Sequence, residues 1–262
     1  MQNPRIYGKA PFTVAVIHGG PGAGGEMAPV ARELARDNGI LEPIQTATTL
    51  EGQIEELRTV LENHGHSPVA LIGFSWGAWL SFIVAARHPG LVKKLFLIGS
   101  GPFEEKYVSV LHATRLGRLN NEEKREFEVI IQALSNPATD VQDILLARLG
   151  DLAFKADIFD VISGRGDEPE HGQHGGIFQS VWDAAANLRK SGELLGYGKH
   201  ILCPVIAIHG DYDPHPAAGV EEPLSTVLKD FRFVLLEKCG HTPWIERHAQ
   251  EHFYRIVKEE LA

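Results

Sequence analysis

Short apolar runs alternate with amphipathic segments of helical length along the first hundred residues of the chain. The runs at 13–18, 69–74 and 93–99 (TVAVIH, VALIGF and KKLFLIG) are rich in β-branched and other apolar residues, as expected of strands that are covered on both faces. A further short strand is predicted at 40–45, and helices are predicted at 26–38, 50–64 and 76–88. Strands that alternate with helices in this way predict an α/β protein with a parallel sheet flanked by helices.

The strand pattern stops between residues 103 and 197 and then resumes. Helices are predicted there at Glu104–Leu116, Asn121–Leu134, Thr139–Ala153 and Ile177–Lys190, with a Gly-, His- and acid-rich loop at 164–176. Strands are predicted again at 204–209 and 231–236. A second domain is one interpretation, but the strands on the two sides of the interruption need each other to complete one sheet. We therefore predict an α/β core of residues 1–102 and 198–262, with residues 103–197 inserted as a helical cap.

The start of the chain limits the size of the predicted sheet. Only about a dozen residues precede Thr13, too few for a full antiparallel hairpin before the first strong strand. We therefore predict a mostly parallel sheet of about six strands.

The charge balance and the apolar runs exclude several classes of partner. The chain has 262 residues and a formal net charge of −9, and a surface of that sign repels phosphate backbones and anionic membranes. The apolar runs are far shorter than the roughly 20 residues that span a bilayer, and no N-terminal signal pattern is present. We expect a cytoplasmic protein that acts on a small molecule, without nucleic-acid or membrane partners. The sequence does not predict an oligomeric state.

A pentapeptide of the form G-x-S-x-G, Gly73-Phe74-Ser75-Trp76-Gly77, lies between a predicted strand and a predicted helix. That context is typical of a nucleophile elbow, in which a sharp turn exposes the serine hydroxyl at the edge of the sheet. The amino end of the following helix favours negative charge that develops there. A tight turn with a capping serine is the alternative, and the strand-to-helix context disfavours it.

A serine nucleophile needs a base, and the base needs an acid that orients it. The strand at 204–209 ends in HGDYDP, which offers Asp211 and Asp213 as candidate acids, and the last strand is followed by CGHTPW, which contains His241. The chain order of serine, aspartate and histidine is the order expected of this architecture.

The GFSWG elbow, the HGGPG loop at 18–22, the HGDYDP turn and the CGHTPW loop together resemble the α/β-hydrolase superfamily. The resemblance implies an α/β-hydrolase fold over 1–102 and 198–262 and a catalytic triad of Ser75, Asp213 and His241. Acid turns of the family commonly read G-x-x-D, which favours Asp213 over Asp211. Similarity to the family also implies an oxyanion hole formed by the backbone amides of Gly20 and Trp76.

The thirteen histidines of the chain also prompt a metal hypothesis. His171 and His174 lie in the 164–176 loop, while His248 and His252 are four apart on the predicted last helix; neither pair forms an HExxH motif, and no Cys/His quartet has the spacing of a zinc site. We therefore predict no metal and no cofactor.

HGGPG together with G-x-S-W-G is similar to the proline iminopeptidase branch of the superfamily. The same triad serves several reactions, so we predict a serine hydrolase that cleaves a small ester or amide by two-step acyl transfer. The alternatives are an iminopeptidase-like aminopeptidase, a carbon–carbon bond hydrolase or lyase, and a non-catalytic ligand-binding protein that keeps the scaffold. Phe103, Phe178 and Trp182 of the cap are candidate pocket residues.

Overall fold

The computed structural model describes residues 3–21, 24–134, 142–162 and 175–262. Seven strands form one sheet in the order β1-β3-β2-β4-β5-β6-β7. The strands are β1 Arg5–Tyr7, β2 Phe12–Ile17, β3 Gly39–Glu42, β4 Val69–Phe74, β5 Val92–Ile98, β6 Val205–Gly210 and β7 Phe231–Leu236. The helices are α1 Ala28–Leu34, α2 Leu50–His64, α3 Trp76–Arg87, α4 Val108–Arg118, α5 Asn121–Leu134, α6 Gln142–Asp157, α7 Gly175–Ser191, α8 Glu193–Gly196, α9 Ala218–Val227 and α10 Gln250–Leu261.

The six strands from β2 to β7 are parallel, which confirms the predicted fold class. The prediction missed β1, which pairs antiparallel with β3 at the edge of the sheet, with Arg5 opposite Glu42. Three residues are too few to show an alternating pattern, and their pairing partner lies more than thirty residues away. The residues before Thr13 are therefore too few for a hairpin but sufficient for one edge strand.

Alternate residues of the inner strands pack on opposite faces of the sheet. Ala15, Leu71 and Leu95 face a cluster that contains the apolar sides of α2 and α3 and residues of α9. Val16, Ile72 and Ile98 face the other cluster, which α1 and α10 cover. Because burial of one large aliphatic side chain contributes about 1.5–3 kcal/mol, these two layers stabilise the sheet and fix the positions of the strand ends.

In the described parts of the chain, five α-helices, α4 to α8, lie between β5 and β6. Helices α4, α5 and α6 share an apolar cluster that includes Phe127, Ile130 and Leu152. Helix α7 instead packs Ile177, Val181 and Ala185 into the cluster of α2 and α3. The four helices predicted between 103 and 197 are present. The ends of α5 are as predicted, those of α4 and α7 differ by a few residues, and the start predicted for α6 at Thr139 lies outside the described residues. The boundaries of a core and a cap stay a prediction, and most of the loop predicted at 164–176 lies outside the described residues.

Within the described parts of the chain, every helix falls short of the length or the apolar character that crossing a membrane requires.

Candidate active site

Ser75 occupies the sharp turn between β4 and α3. Its φ and ψ are 51° and −116°, a conformation that residues other than glycine rarely adopt. The turn is held by a hydrogen bond from the backbone N–H of Ser75 to the carbonyl oxygen of Ile98, at 2.9 Å. Strain of this kind persists only where surrounding structure imposes it, and it is frequent at functional sites.

The two glycines of the pentapeptide are required by close packing of the backbone. A Cβ atom on Gly77 would lie 2.4 Å from the carbonyl oxygen of Ile17 and 2.5 Å from that of His18. A Cβ atom on Gly73 would lie 2.3 Å from the carbonyl oxygen of Gly77. All three distances are far inside van der Waals contact, so the spacing of the motif has a steric cause.

Asp213 and His241 follow β6 and β7 and are in direct contact. Nδ1 of His241 donates to Oδ2 of Asp213 at 2.7 Å, and the Asp213 side chain has no exposed surface. The other candidate acid, Asp211, is exposed and accepts a hydrogen bond from the backbone N–H of Cys239 at 3.1 Å. The structure therefore brings Asp213, and not Asp211, to the imidazole of His241.

The carboxylate and the imidazole perturb each other's protonation. Burial would raise the pKa of Asp213, but three neighbouring imidazoles outweigh burial and hold this pKa well below its usual range. Burial would lower the pKa of His241, but the charge of Asp213 and its hydrogen bond raise it above the usual histidine value. Asp213 is thus an ionised acceptor, and Nδ1 of His241 is the protonated donor.

His241 lies at the same end of the sheet as Ser75. Its ring centroid is 4.7 Å from that of Phe74, the residue before Ser75. A Cβ atom on Gly99, the residue after Ile98, would lie 3.0 Å from Nδ1 of His241. Ser75, Asp213 and His241 therefore lie at the same edge of the sheet, beyond the carboxyl ends of β4, β6 and β7.

The loop after β2 lies beside the elbow, although Gly22 is outside the described residues. Its first residue, His18, is fully buried, and burial lowers its pKa to about 4, so its ring is neutral. Nδ1 of His18 contacts the carbonyl oxygen of Gly19 at 2.8 Å, and Nε2 accepts from the backbone N–H of Gln45 at 3.2 Å. Gly20 has a φ of +48°, which only glycine adopts without strain.

Gln45 connects this loop to the elbow and was not identified from the sequence. Its Nε2 donates to the carbonyl oxygen of His18 at 3.0 Å. Its Oε1 accepts from the indole Nε1 of Trp76 at 2.8 Å. Gln53 is a second acceptor for the same indole, at 3.1 Å. No short motif marks either glutamine, because their partners are distant in sequence and their burial is a property of the fold.

Two acidic residues, also not predicted, hold the loop that carries His241, Glu246 through its carboxylate and Asp157 through its backbone carbonyl. The buried Glu246 accepts the backbone N–H groups of Gly240 at 2.9 Å and of Phe159 and Asp160 at 3.0 and 2.8 Å. The backbone N–H of His241 donates to the carbonyl oxygen of Asp157 at 2.9 Å. These contacts attach the His241 loop to the carboxyl end of α6.

The candidate pocket residues belong to a row of aromatic rings. Trp182 stacks between Phe178 and Trp79, with ring centroids 5.9 Å apart on each side. Phe103 contacts Trp79 and Phe82 and has no exposed surface. Their role in a pocket stays a prediction.

Among the described residues, one group has the ligand types and spacing for a metal ion: Asp213, His215 and His241, whose ligand atoms lie within 4.8 Å of one another. Nδ1 of each histidine is 2.7 Å from an oxygen of Asp213, so hydrogen bonds explain this group without an ion. Among the other histidines that could bind a metal, His171 and His174 lie outside the described residues, and Nε2 of His248 lies 3.3 Å from Oδ2 of Asp160.

Comparisons with solved structures agree with this fold. The crystal structure of VinJ superposes with a TM-score of 0.71 at 17% identity, covering 98% of this chain and 93% of the other. Proline iminopeptidase from Mycobacterium smegmatis gives a TM-score of 0.63 at 17% identity, over 98% and 93% of the two chains. The enol-lactonase from Burkholderia xenovorans gives 0.62 at 18% identity, over 98% and 95%.

Among curated proteins, the chain is 26% identical over 197 residues to a pimeloyl-[acyl-carrier protein] methyl ester esterase of Neisseria meningitidis serogroup B. The match covers 70% of this chain and 66% of the relative's length. The family model described as the alpha/beta hydrolase fold matches residues 21–247, which is most of the sequence. This chain belongs to the alpha/beta hydrolase fold family.

Proposed function

We propose that the protein is a serine hydrolase that cleaves a small ester by two-step acyl transfer through Ser75, His241 and Asp213. The observation that carries the proposal is the 2.7 Å hydrogen bond between His241 and the buried Asp213, at the edge of the sheet where the strained elbow presents Ser75. Because Nδ1 of His241 carries the proton that is donated to the ionised carboxylate, Nε2 carries the free lone pair of the imidazole. That is the tautomer a general base requires.

In the first step, Nε2 of His241 takes the hydroxyl proton of Ser75 while Oγ attacks the carbonyl carbon of the ester. The backbone amides of Gly20 and Trp76 donate to the resulting oxyanion. Collapse of the tetrahedral intermediate breaks the ester bond, and the departing alkoxide takes the proton from His241. In the second step, His241 removes a proton from water while the water oxygen attacks the acyl carbon. The bond from the acyl carbon to Oγ then breaks, His241 returns the proton to Oγ, and the carboxylic acid leaves.

Aminopeptidase activity is a second candidate, since one structural neighbour is a proline iminopeptidase. Such an enzyme needs an acidic group to bind the substrate ammonium. Four described acidic residues of segment 103–197 already have partners within the chain. Glu104 pairs with Lys106, Glu105 with Arg189, Asp183 bonds Gln179, and Glu193 bonds Tyr197. Asp167, Glu168 and Glu170 lie outside the described residues. Ester cleavage, the activity named for the curated relative, needs no such group.

The assignment of Ser75 as the nucleophile is tested by comparing the ester hydrolysis of the Ser75→Ala and Ser81→Ala variants. Ser81 lies on the same helix, is buried, and its hydroxyl has no hydrogen-bond partner among the described residues. We expect the first variant to lose p-nitrophenyl acetate hydrolysis by on the order of 10⁴-fold or more, and the second to keep it within about threefold. A Ser75→Ala variant that keeps the wild-type rate contradicts the assignment.

A labelling experiment separates an enzyme from a non-catalytic scaffold. A fluorophosphonate probe should modify the wild-type protein at Ser75 with one equivalent, because the reaction requires an activated hydroxyl. A panel of short acyl esters, thioesters and proline naphthylamide then ranks the bond types. Mass spectrometry after brief exposure to each substrate detects the acyl-enzyme, which a lyase reaction would not accumulate.

A further inference from the structure

Asp213 is shared by two histidines. Its Oδ2 accepts from His241, as described above, while Oδ1 accepts from Nδ1 of His215 at 2.7 Å. The backbone N–H of His215 also donates to Oδ1, at 2.9 Å. His215 was not predicted to have a role, although it lies only two residues beyond the proposed acid.

The two imidazoles also stack on each other. Their ring centroids are 4.6 Å apart and their planes make an angle of 25°. The side chain of His215 is 7% exposed, and burial lowers its pKa to about 4, so the ring is neutral at the pH of an ordinary assay.

His215 is itself held in place by a third histidine. Nε2 of the buried His209 contacts the carbonyl oxygen of His215 at 2.7 Å and lies 3.6 Å from Oδ2 of Asp213. Since a carbonyl oxygen only accepts, Nε2 of His209 is the donor. The ring and backbone of His215 are thus both fixed, and the side chain presents one N–H to the carboxylate.

We propose that His215 is a positioning residue, whose ring N–H donates to Oδ1 of Asp213 while His241 donates to Oδ2. The contact of His215 limits how strongly the carboxylate favours the protonated form of His241. A hydrogen bond to an anion stabilises the anion and weakens its attraction for a second proton donor. Without the ring N–H of His215, Oδ1 of Asp213 keeps only the backbone N–H of residue 215, and more of the carboxylate's charge acts on His241. More of His241 would then be protonated near neutral pH, where a general base has to be neutral.

The inference depends on the proposed function only for its kinetic readout. The other charged or titratable groups around His241 in the described structure are His209 and the ion pair of Arg115 with Asp157. These groups are left unchanged by substitutions at 215, so differences between the variants report on the His215 ring. His215→Phe keeps a flat ring for the stack but has no N–H, whereas His215→Asn keeps an N–H donor close to the position of Nδ1.

The experiment measures the titration of the His241 ring by NMR, with ¹³C-labelled histidine, in the wild type and in the H215F and H215N variants. The His241 signal is assigned by its loss in the His241→Gln variant. His252→Phe, a substitution of an exposed histidine, is the control and should leave the His241 midpoint unchanged. We expect the midpoint of His241 to rise by about half a unit to one unit in H215F and to return toward the wild-type value in H215N. Should H215F fail to fold, His215→Leu replaces it in the same comparison.

The acid limb of kcat/KM for p-nitrophenyl acetate should move with the NMR midpoint. A His241 midpoint that is the same in the variant without the N–H and in the wild type overturns the inference, even if kcat falls. Failure of the proposed function has a different signature. In that case the wild type hydrolyses no ester and is not labelled at Ser75, while the NMR shift, which needs no turnover, still supports or contradicts the role of His215.

Discussion

The indole N–H of Trp76 donates to the side-chain oxygen of Gln45 at 2.8 Å, and this bond ties the residue after the proposed nucleophile to the segment that follows β3. The Nε2 atom of the same Gln45 amide group donates to the carbonyl oxygen of His18, at 3.0 Å. One buried amide therefore connects the two chain segments that would each supply one oxyanion donor. Two donors must point at one position to stabilise an oxyanion, so this connection has a direct consequence for the rate.

We expect Gln45→Leu to lower kcat for p-nitrophenyl acetate by about 10- to 100-fold with little change in KM, since misplaced donors affect the transition state most. Gln53→Leu is the matched control, because it removes the other acceptor of the Trp76 indole and leaves the link to His18 intact. The control should keep kcat within about threefold. Equal losses in the two variants would show that the indole, and not the connection to the loop, is what matters.

The order of strands and helices could be predicted because each inner strand is buried on both faces and each helix has a continuous apolar side. Helix α2 and strand β4 have the predicted ends, and in α2 the side chain of Thr49 caps the helix by accepting the backbone N–H of Gly52 at 3.0 Å. Strand β1 was not predictable, since three residues of mixed character become a strand only by pairing with β3.

The close packing of Gly77, two residues after Ser75, predicts that Gly77→Ala and Gly90→Ala differ clearly in their free energy of unfolding. A Cβ atom on Gly77 would meet backbone carbonyl oxygens of Ile17 and His18, which cannot move without distorting the end of β2. We expect Gly77→Ala to lower the free energy of unfolding by about 2 kcal/mol or more, as overpacking does.

Gly90 provides the matched control, since a Cβ atom there would have no heavy atom within 4 Å. Gly90→Ala should change the free energy of unfolding by less than about 0.5 kcal/mol. Urea denaturation followed by tryptophan fluorescence measures both values. Similar stability of the two variants would contradict the steric interpretation of the motif.

An ion pair joins two of the helices that lie between β5 and β6 at the site of His241. Nε of Arg115 in α4 donates to Oδ1 of Asp157 at 2.9 Å, and the Asp157 side chain is only 5% exposed. Arg115→Met leaves this carboxylate buried without its charge partner, and we expect a loss of about 2 kcal/mol in the free energy of unfolding together with a lower kcat. The activity falls because the carbonyl of Asp157 holds the backbone N–H of His241.

The surface pair of Arg148 with Glu126 gives the control for this prediction. Its side chains are 44% and 37% exposed, so Arg148→Met should cost less than about 1 kcal/mol and leave kcat unchanged. Thermal unfolding and ester hydrolysis, measured on both variants, separate the two cases. A fully active Arg115→Met variant would show that α4 does not help to position His241.

The proposed triad residues could be selected from the sequence because each belongs to a short motif at a strand end. The residues that hold the loops of these three residues in place could not be selected from the sequence. Gln45, Arg115 and Glu246 act through contacts with residues 31, 42 and 6 positions away, and nothing local distinguishes them from ordinary polar residues. His215 is close to Asp213 in sequence, but only the fold shows that its ring stacks on His241.

Buried neutral histidines predict that acid destabilises the protein. The pKa of His18 is lowered from 6.5 to about 4 by burial, whereas in the unfolded chain it keeps its ordinary value. Between these two pH values the unfolded state binds a proton that the folded state does not. Stability is therefore fully present above pH 6.5 and is lost as the pH falls toward 4, by up to about 3 kcal/mol. His215, with the same shift, adds a loss in the same window, while the raised pKa of His241 acts in the opposite direction.

A difference measurement isolates the part that belongs to His18. His18→Gln removes the titrating ring, so the free energy of unfolding of this variant should fall less steeply with acid than that of the wild type. The gap between the two proteins, taken from urea denaturation at pH 7, 5.5 and 4, should shrink by about 2–3 kcal/mol over this range. His252→Gln, at an exposed position, should run parallel to the wild type throughout. A gap between wild type and His18→Gln that stays constant from pH 7 to pH 4 would mean that the pKa of His18 is the same in the folded and unfolded chains, which contradicts its burial as the acceptor of the Gln45 backbone N–H.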